Sequence, residues 1–152
     1  MMKKVIAVLA TCMMLFSSAS ADVYYCFGDE VNIRETASTR HARIGYISFG
    51  QEVEIDYFKD GWAHSPTIQT EEVGGWITAE WLSAEMPELV DNEVYVVNAR
   101  RVNVRKMPNG KQIKRVGEGH KMTVSMLVCD SEGEWWAKTT ESWIMYKFLD
   151  KE

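Results

Sequence analysis

Residues 31–34 read Val-Asn-Ile-Arg and residues 102–105 read Val-Asn-Val-Arg, 71 positions apart. Four residues alone decide nothing, so the test is whether later landmarks recur in the same order. After the first phrase comes RIGYISFGQEVEI at 43–55, and after the second QIKRVGEGHKMTV at 112–124. Ile44 matches Ile113, Ile47 matches Val116, Gly50 matches Gly119, Val53 matches Met122 and Ile55 matches Val124, all at an offset of 69. WAHS at 62–65 then pairs with WAKT at 136–139, and GGWITAEWLS at 74–83 with ESWIMYKFLD at 141–150. The order never breaks, and the offset changes only at turn-like stretches. The chain is a duplication with loop insertions.

Within each copy, apolar and polar residues alternate: VNIR, VEID, VNVR, MTVS. A period of two describes short strands with one face buried. Glycine-containing turns such as FGQE, KDGW, GEGH and SEGEW separate them. Helical spacing is weak throughout, and in AEWLSAEMPELV (79–90) Pro87 interrupts it. The expected fold is all-β, with two tandem small SH3-like β-barrels, because closure removes exposed strand edges. The first unit is expected over 22–86, a linker containing LVDNE over 87–93, and the second unit over 94–152. Each unit is small and marginal alone, so docking of the two would help.

The first 21 residues read as a secretory signal peptide. MMKK is basic, VIAVLATCMMLF is a short apolar run, and Ala19 and Ala21 precede Asp22. The run is too short for a permanent membrane span, and Thr11 before Cys12 is a poor lipidation motif. The expected product is exported, periplasmic or secreted, without stable membrane insertion. It keeps Cys26 and Cys129. In an oxidising compartment these form either one disulfide joining the halves or two separate buried thiols.

These landmarks resemble the bacterial SH3 domain, SH3b, present twice. The features that carry the likeness are VNIR with GGWITAEWL, and VNVR with WAKT and SWIMYKFL. There are departures. His64-Ser65 stands where the family has Lys-Val, Ser142 replaces the glycine before Trp143, and the first copy carries the insertion SPTIQTEEVG. The resemblance implies non-catalytic modules, similar to parts of cell-wall hydrolases that bind peptidoglycan. It also implies that the aromatic at the Trp62 and Trp136 position lines a ligand groove.

No catalytic constellation is legible. His41, His64 and His120 each stand alone among polar residues, without HExxH, CxxC or GxSxG. No cofactor or metal motif is present, and none is expected. All six tryptophans lie in the repeated landmarks. Trp76 and Trp143 are expected in the core. Trp135 and Trp136 are adjacent and so face opposite sides of a strand. The candidate ligand-binding residues are Tyr57, Trp62, Trp81, Trp135, Trp136 and Arg105, since exposed rings beside polar loops suit sugar faces and peptides.

Residues 22–88 hold 13 acidic and 4 basic side chains, net −9, and residues 89–152 hold 9 acidic and 11 basic, net +2. This asymmetry has two readings: electrostatic docking of the units, or a basic patch for an anionic polymer. An acidic chain argues against nucleic acid as a partner. The expected function is non-catalytic binding of cell-wall peptide or glycan. The alternative is a protein–protein adaptor or inhibitor that docks on an envelope enzyme or another exported protein.

Overall fold

The computed structural model describes residues 21–69 and 73–152. Except for Ala21, the expected signal peptide lies outside the described residues, as does the tip of the first-copy insertion. Alternating sequence becomes strand nearly everywhere. The first half forms β1 (Asp22–Cys26), β2 (Glu30–Arg34), β3 (Arg43–Ser48), β4 (Glu52–Ile55), β5 (Tyr57–Lys59), β6 (Trp62–Gln69), β7 (Val73–Thr78) and β8 (Leu82–Ser83). The second forms β9 (Glu88–Val97), β10 (Val102–Arg105), β11 (Gln112–Val116), β12 (Lys121–Cys129), β13 (Trp135–Lys138), β14 (Trp143–Met145) and β15 (Leu149–Lys151). A single 3₁₀ turn precedes the last strand of each half, at Ala79–Trp81 and Tyr146–Phe148.

The sheets repeat as the sequence does. One seven-stranded sheet runs β11-β10-β14-β13-β12-β9-β15. In the first half the same order is cut in two, β3-β2-β7-β6-β5 and β4-β1-β8. The cut falls at Asp56, where β4 and β5 stand in place of the continuous β12. Among the described residues no sheet closes on itself, so the hydrogen bonding shows open sheets where closed barrels were expected. The backbone bonds also repeat. Gly50 N donates to Cys26 O and Gly119 N to Val97 O, at 2.7 and 2.8 Å. Phe27 N donates to Trp81 O and Asn98 N to Phe148 O, both at 3.0 Å. Gly50 and Gly119 hold φ of 78° and 85°, which a residue with a Cβ adopts only under strain.

The repeated tetrapeptide is a structural device. Its apolar pair points inward: Val31, Ile33, Val102 and Val104 are all buried. Its asparagine accepts from an arginine on the neighbouring strand, Asn32 from Arg43 at 3.4 Å and Asn103 from Arg115 at 3.2 Å. Its arginine clasps the following loop: Arg34 Nη1 donates to His41 O and Arg105 Nη1 to Gly110 O, at 2.8 and 2.9 Å.

Each half has its own apolar core. One contains Tyr24, Cys26, Ile33, Val53, Ala63 and Ile77, the other Tyr95, Val97, Val104, Val124, Ala137 and Ile144. A third cluster joins them. Phe27 of the first half packs with Met126, Val128, Trp136 and Trp143 of the second, and Trp81 closes its edge. Hydrogen bonds cross the same seam: Cys129 N donates to Ser83 Oγ, and Ala84 N to Cys129 O. Among the described residues every ion pair lies within one half. The halves therefore dock through an apolar seam, which corrects the electrostatic reading.

Two further expectations change. The stretch read as a linker, 87–93, is mostly strand: β9 begins at Glu88, and its early residues pair with the end of β12, as in Met126 with Leu89. Pro87 is buried. The disulfide reading is also corrected, since Cys26 and Cys129 are both free and buried. Each sulfur has its own surroundings: Cys26 Sγ meets Gly28 O at 3.5 Å and Ile47 O at 3.9 Å, and Cys129 Sγ meets Asp130 O at 3.6 Å. Burial raises both thiol pKa values, and neighbouring carboxylates add to the effect. A thiol reagent at mildly alkaline pH is expected to leave both cysteines untouched in the native chain and to modify both after denaturation. A denatured, unreduced chain in which neither reacts would restore the bridge.

Candidate functional site

A cleft of about 400 Å³ opens on the first half. Trp62, from the start of β6, and Trp81, from the 3₁₀ turn, form its aromatic walls, and both are half-buried. Asp29, Glu30, Arg34 and Thr39 supply polar groups around it. Gly28 forms part of the wall because only a missing side chain fits there. A Cβ at that position would lie 2.5 Å from Val31 Cγ2 and 2.9 Å from the Trp81 ring. Two of the six candidate ligand residues therefore meet in one cleft, and the other four lie elsewhere.

Tyr57 is 47% exposed on β5. Its ring stacks on His64 at 4.8 Å, and Trp76 stands edge-on to both, at 5.4 and 4.9 Å. His64 Nδ1 is bonded to Asp56 Oδ1 at 2.6 Å. Trp76 was expected in the core but is half-buried on this outer face. Trp135 lies in the second half beside a groove of about 520 Å³, with Tyr95, Leu89, Tyr146 and Lys151. There burial, then Tyr146, then Glu93 push the Tyr95 phenol up to about 12.

Trp136 is a correction. It matches Trp62 in the repeat and in strand register: Trp62 faces Thr78, and Trp136 faces Met145. Yet it is 1% exposed, because Phe27 and Trp81 of the first half cover its side of the sheet. Arg105 is a second correction: it lies in the second half, apart from the Trp62–Trp81 cleft, with its guanidinium donating to Gly110 O.

Asp130 is the polar residue that sequence reading missed. It sits in the turn after β12. Its Oδ2 accepts from Asn109 Nδ2 at 2.7 Å and from Trp136 Nε1 at 3.0 Å, and its Oδ1 accepts from the amides of Glu132 and Glu134, both at 3.0 Å. Burial alone would raise its pKa, but these four donors outweigh it and hold the carboxyl below its ordinary value. Among the described residues no group of three or more His, Cys, Asp or Glu gathers to hold a metal, and no helix is long and apolar enough to cross a membrane.

No protein-family model matches this chain, and no curated protein matches it. Solved structures give distant likenesses. NlpC2 from Trichomonas vaginalis is 15% identical over 88% of this chain and 49% of its own, at a TM-score of 0.37. NlpC1 from the same organism is 14% identical over 90% of this chain and 48% of its own, also at 0.37. Ly7917 with the hydrolysing product of MDP is 11% identical over 85% of this chain and 61% of its own, at 0.34. The chain spans about half the length of the two NlpC structures. At these values the likenesses carry no argument about what it does.

Proposed function

We propose that this chain is an exported, non-catalytic binding module of the bacterial cell envelope, built from two SH3b-like units, that takes cell-wall peptide or glycan in the cleft between Trp62 and Trp81. The observation that carries this reading is the pairing of two half-exposed indoles with carboxylate, guanidinium and hydroxyl groups in one concave site. Indole faces suit flat sugar surfaces and peptide backbones, and a few placed polar groups fix orientation. A non-catalytic role is further supported by the thiols, which are buried with raised pKa, the opposite of an activated nucleophile.

The test is co-sedimentation of the purified chain with insoluble peptidoglycan sacculi, at low and moderate salt. Retention is expected. Trp62→Ala is expected to abolish most of it while leaving the melting temperature nearly unchanged, because Trp62 stands outside all three apolar clusters. A chain that stays in the supernatant at both salts would end the reading. Clearing of cell-wall substrate in a zymogram would replace it with a hydrolase.

A further inference from the structure

Cross-strand neighbours share a face of a sheet, and on the first half this gives two outward rows. Arg43 faces Arg34, Arg34 faces Trp76, Trp76 faces His64, and His64 faces Tyr57. Two residues along β2, β5, β6 and β7, and three along β3 where the register shifts, the second row begins with Tyr46 facing Asn32, and ends with Thr78 facing Trp62 and Trp62 facing Lys59. Neither row contains a carboxylate, although residues 22–88 carry a net −9. Three of that segment's four basic residues, Arg34, Arg43 and Lys59, stand here among Tyr, Trp and His. Asp56 lies outside the rows, bonded to His64, and Asp29 and Glu30 lie in the cleft beyond Trp62.

The duplicate shows how such a face is covered. In the second half the matching residues are Arg105, Trp143, Lys138 and Met126, with Trp136 and Val128 in the next row. Phe27 lies against that face, its ring 5.4 Å from Trp143 and 5.6 Å from Trp81. The covering residue is the aromatic Phe27, and the carboxylates that follow it, Asp29 and Glu30, line the first-half cleft instead. On the first half the same face stays open, with Tyr46 54% and Tyr57 47% exposed.

We infer that the outer face of the five-stranded sheet is a protein-docking surface, and that its occupant is a loop carrying an aromatic side chain beside carboxylates. A second copy of this chain does not supply that loop. Its Phe27 is already buried in its own seam, and the residue at the Phe27 position of the second half is Asn98, held by Asp150. The ring-rich, cation-bearing composition is that of a recognition interface, in which Tyr, Trp and Arg are enriched. This surface overlaps the cleft at Asn32, Arg34, Trp62 and Thr78, whereas Tyr57, His64 and Trp76 lie outside it, so a response centred on those three separates the two readings.

The test uses the purified chain and a cyclic peptide with Glu-Phe-Gly-Asp at its turn, titrated by NMR. Shifts centred on Tyr57, His64 and Trp76 are expected, weakening as salt is raised. Lys59→Glu and Tyr57→Ser change exposed residues, and each is expected to weaken binding about tenfold with the melting temperature retained. The peptide with alanine for phenylalanine, and the one with lysines for its acids, are expected not to bind. The inference is overturned by three results: no shifts at millimolar peptide, shifts elsewhere, or equal binding of the lysine peptide. Tighter binding of polygalacturonate at the same residues would overturn it too, making the face a carbohydrate site.

Discussion

Trp136→Ala is expected to remove about 3–5 kcal/mol of stability, the range for truncating a fully buried tryptophan. Trp136 is 1% exposed and lies in the only apolar cluster, among the described residues, that contains side chains of both halves. Its loss opens a cavity beside Phe27, Met126 and Val128 and removes the indole donor from Asp130. The two other cores do not include Trp136, so each half keeps its own packing. The variant should therefore unfold less cooperatively, with the seam failing first. Chemical denaturation followed by far-ultraviolet circular dichroism and by tryptophan fluorescence reads both effects. Coincident transitions and a loss below about 1 kcal/mol would show that the seam is loosely packed. Trp62→Ala is the internal control, since it removes the same side chain at the same register position on an open face.

The contrast between these two tryptophans marks the limit of what the sequence discloses. The duplication was legible, and so were most strands, because period-two alternation and positive-φ glycines are local properties. Gly50 and Gly119 recur in sequence and make equivalent backbone bonds in the structure. The seam was not legible, because it depends on how one copy meets the other. Trp62 and Trp136 sit in nearly identical phrases, WAHS and WAKT, and no local rule separates them. One signal was present. Met-Leu-Val-Cys at 126–129 is apolar without alternation, and all four residues are buried. A strand buried on both faces reads as a continuous apolar run. The matching stretch Tyr57-Phe58-Lys59 is exposed throughout. That difference placed the docking face in the second copy and left the first copy's face open. Asp130 stayed hidden for another reason: CDSEG reads as a turn, and only the fold brings Asn109 and Trp136 to its carboxylate.

Asp130→Ala is expected to cost about 3 kcal/mol, since hydrogen bonds to a charged group contribute about 1.5–3 kcal/mol and stranded buried donors add a desolvation penalty. Four donors converge on this carboxylate, and the Trp136 indole has no water to turn to. Asp130→Asn separates charge from shape. Its amide oxygen can still accept from the Glu132 and Glu134 amides, but its NH₂ would face the donors of Trp136 and Asn109. The asparagine variant should therefore lose nearly as much as alanine. The pH dependence follows from the same bonds. The folded carboxyl is held below its ordinary value, so on acidification the unfolded chain takes up the proton first. The contribution of Asp130 is fully present above the ordinary carboxylate pKa of about 4 and is lost as pH falls through the lower folded value. Other carboxylates also titrate in that window, so the informative quantity is the stability of the wild type minus that of Asp130→Asn. This difference should be constant from neutral pH down to the ordinary carboxylate value and shrink below it. A difference that grows on acidification would mean that the folded carboxyl is protonated more readily than the unfolded one, and that the four bonds do not hold it as an anion.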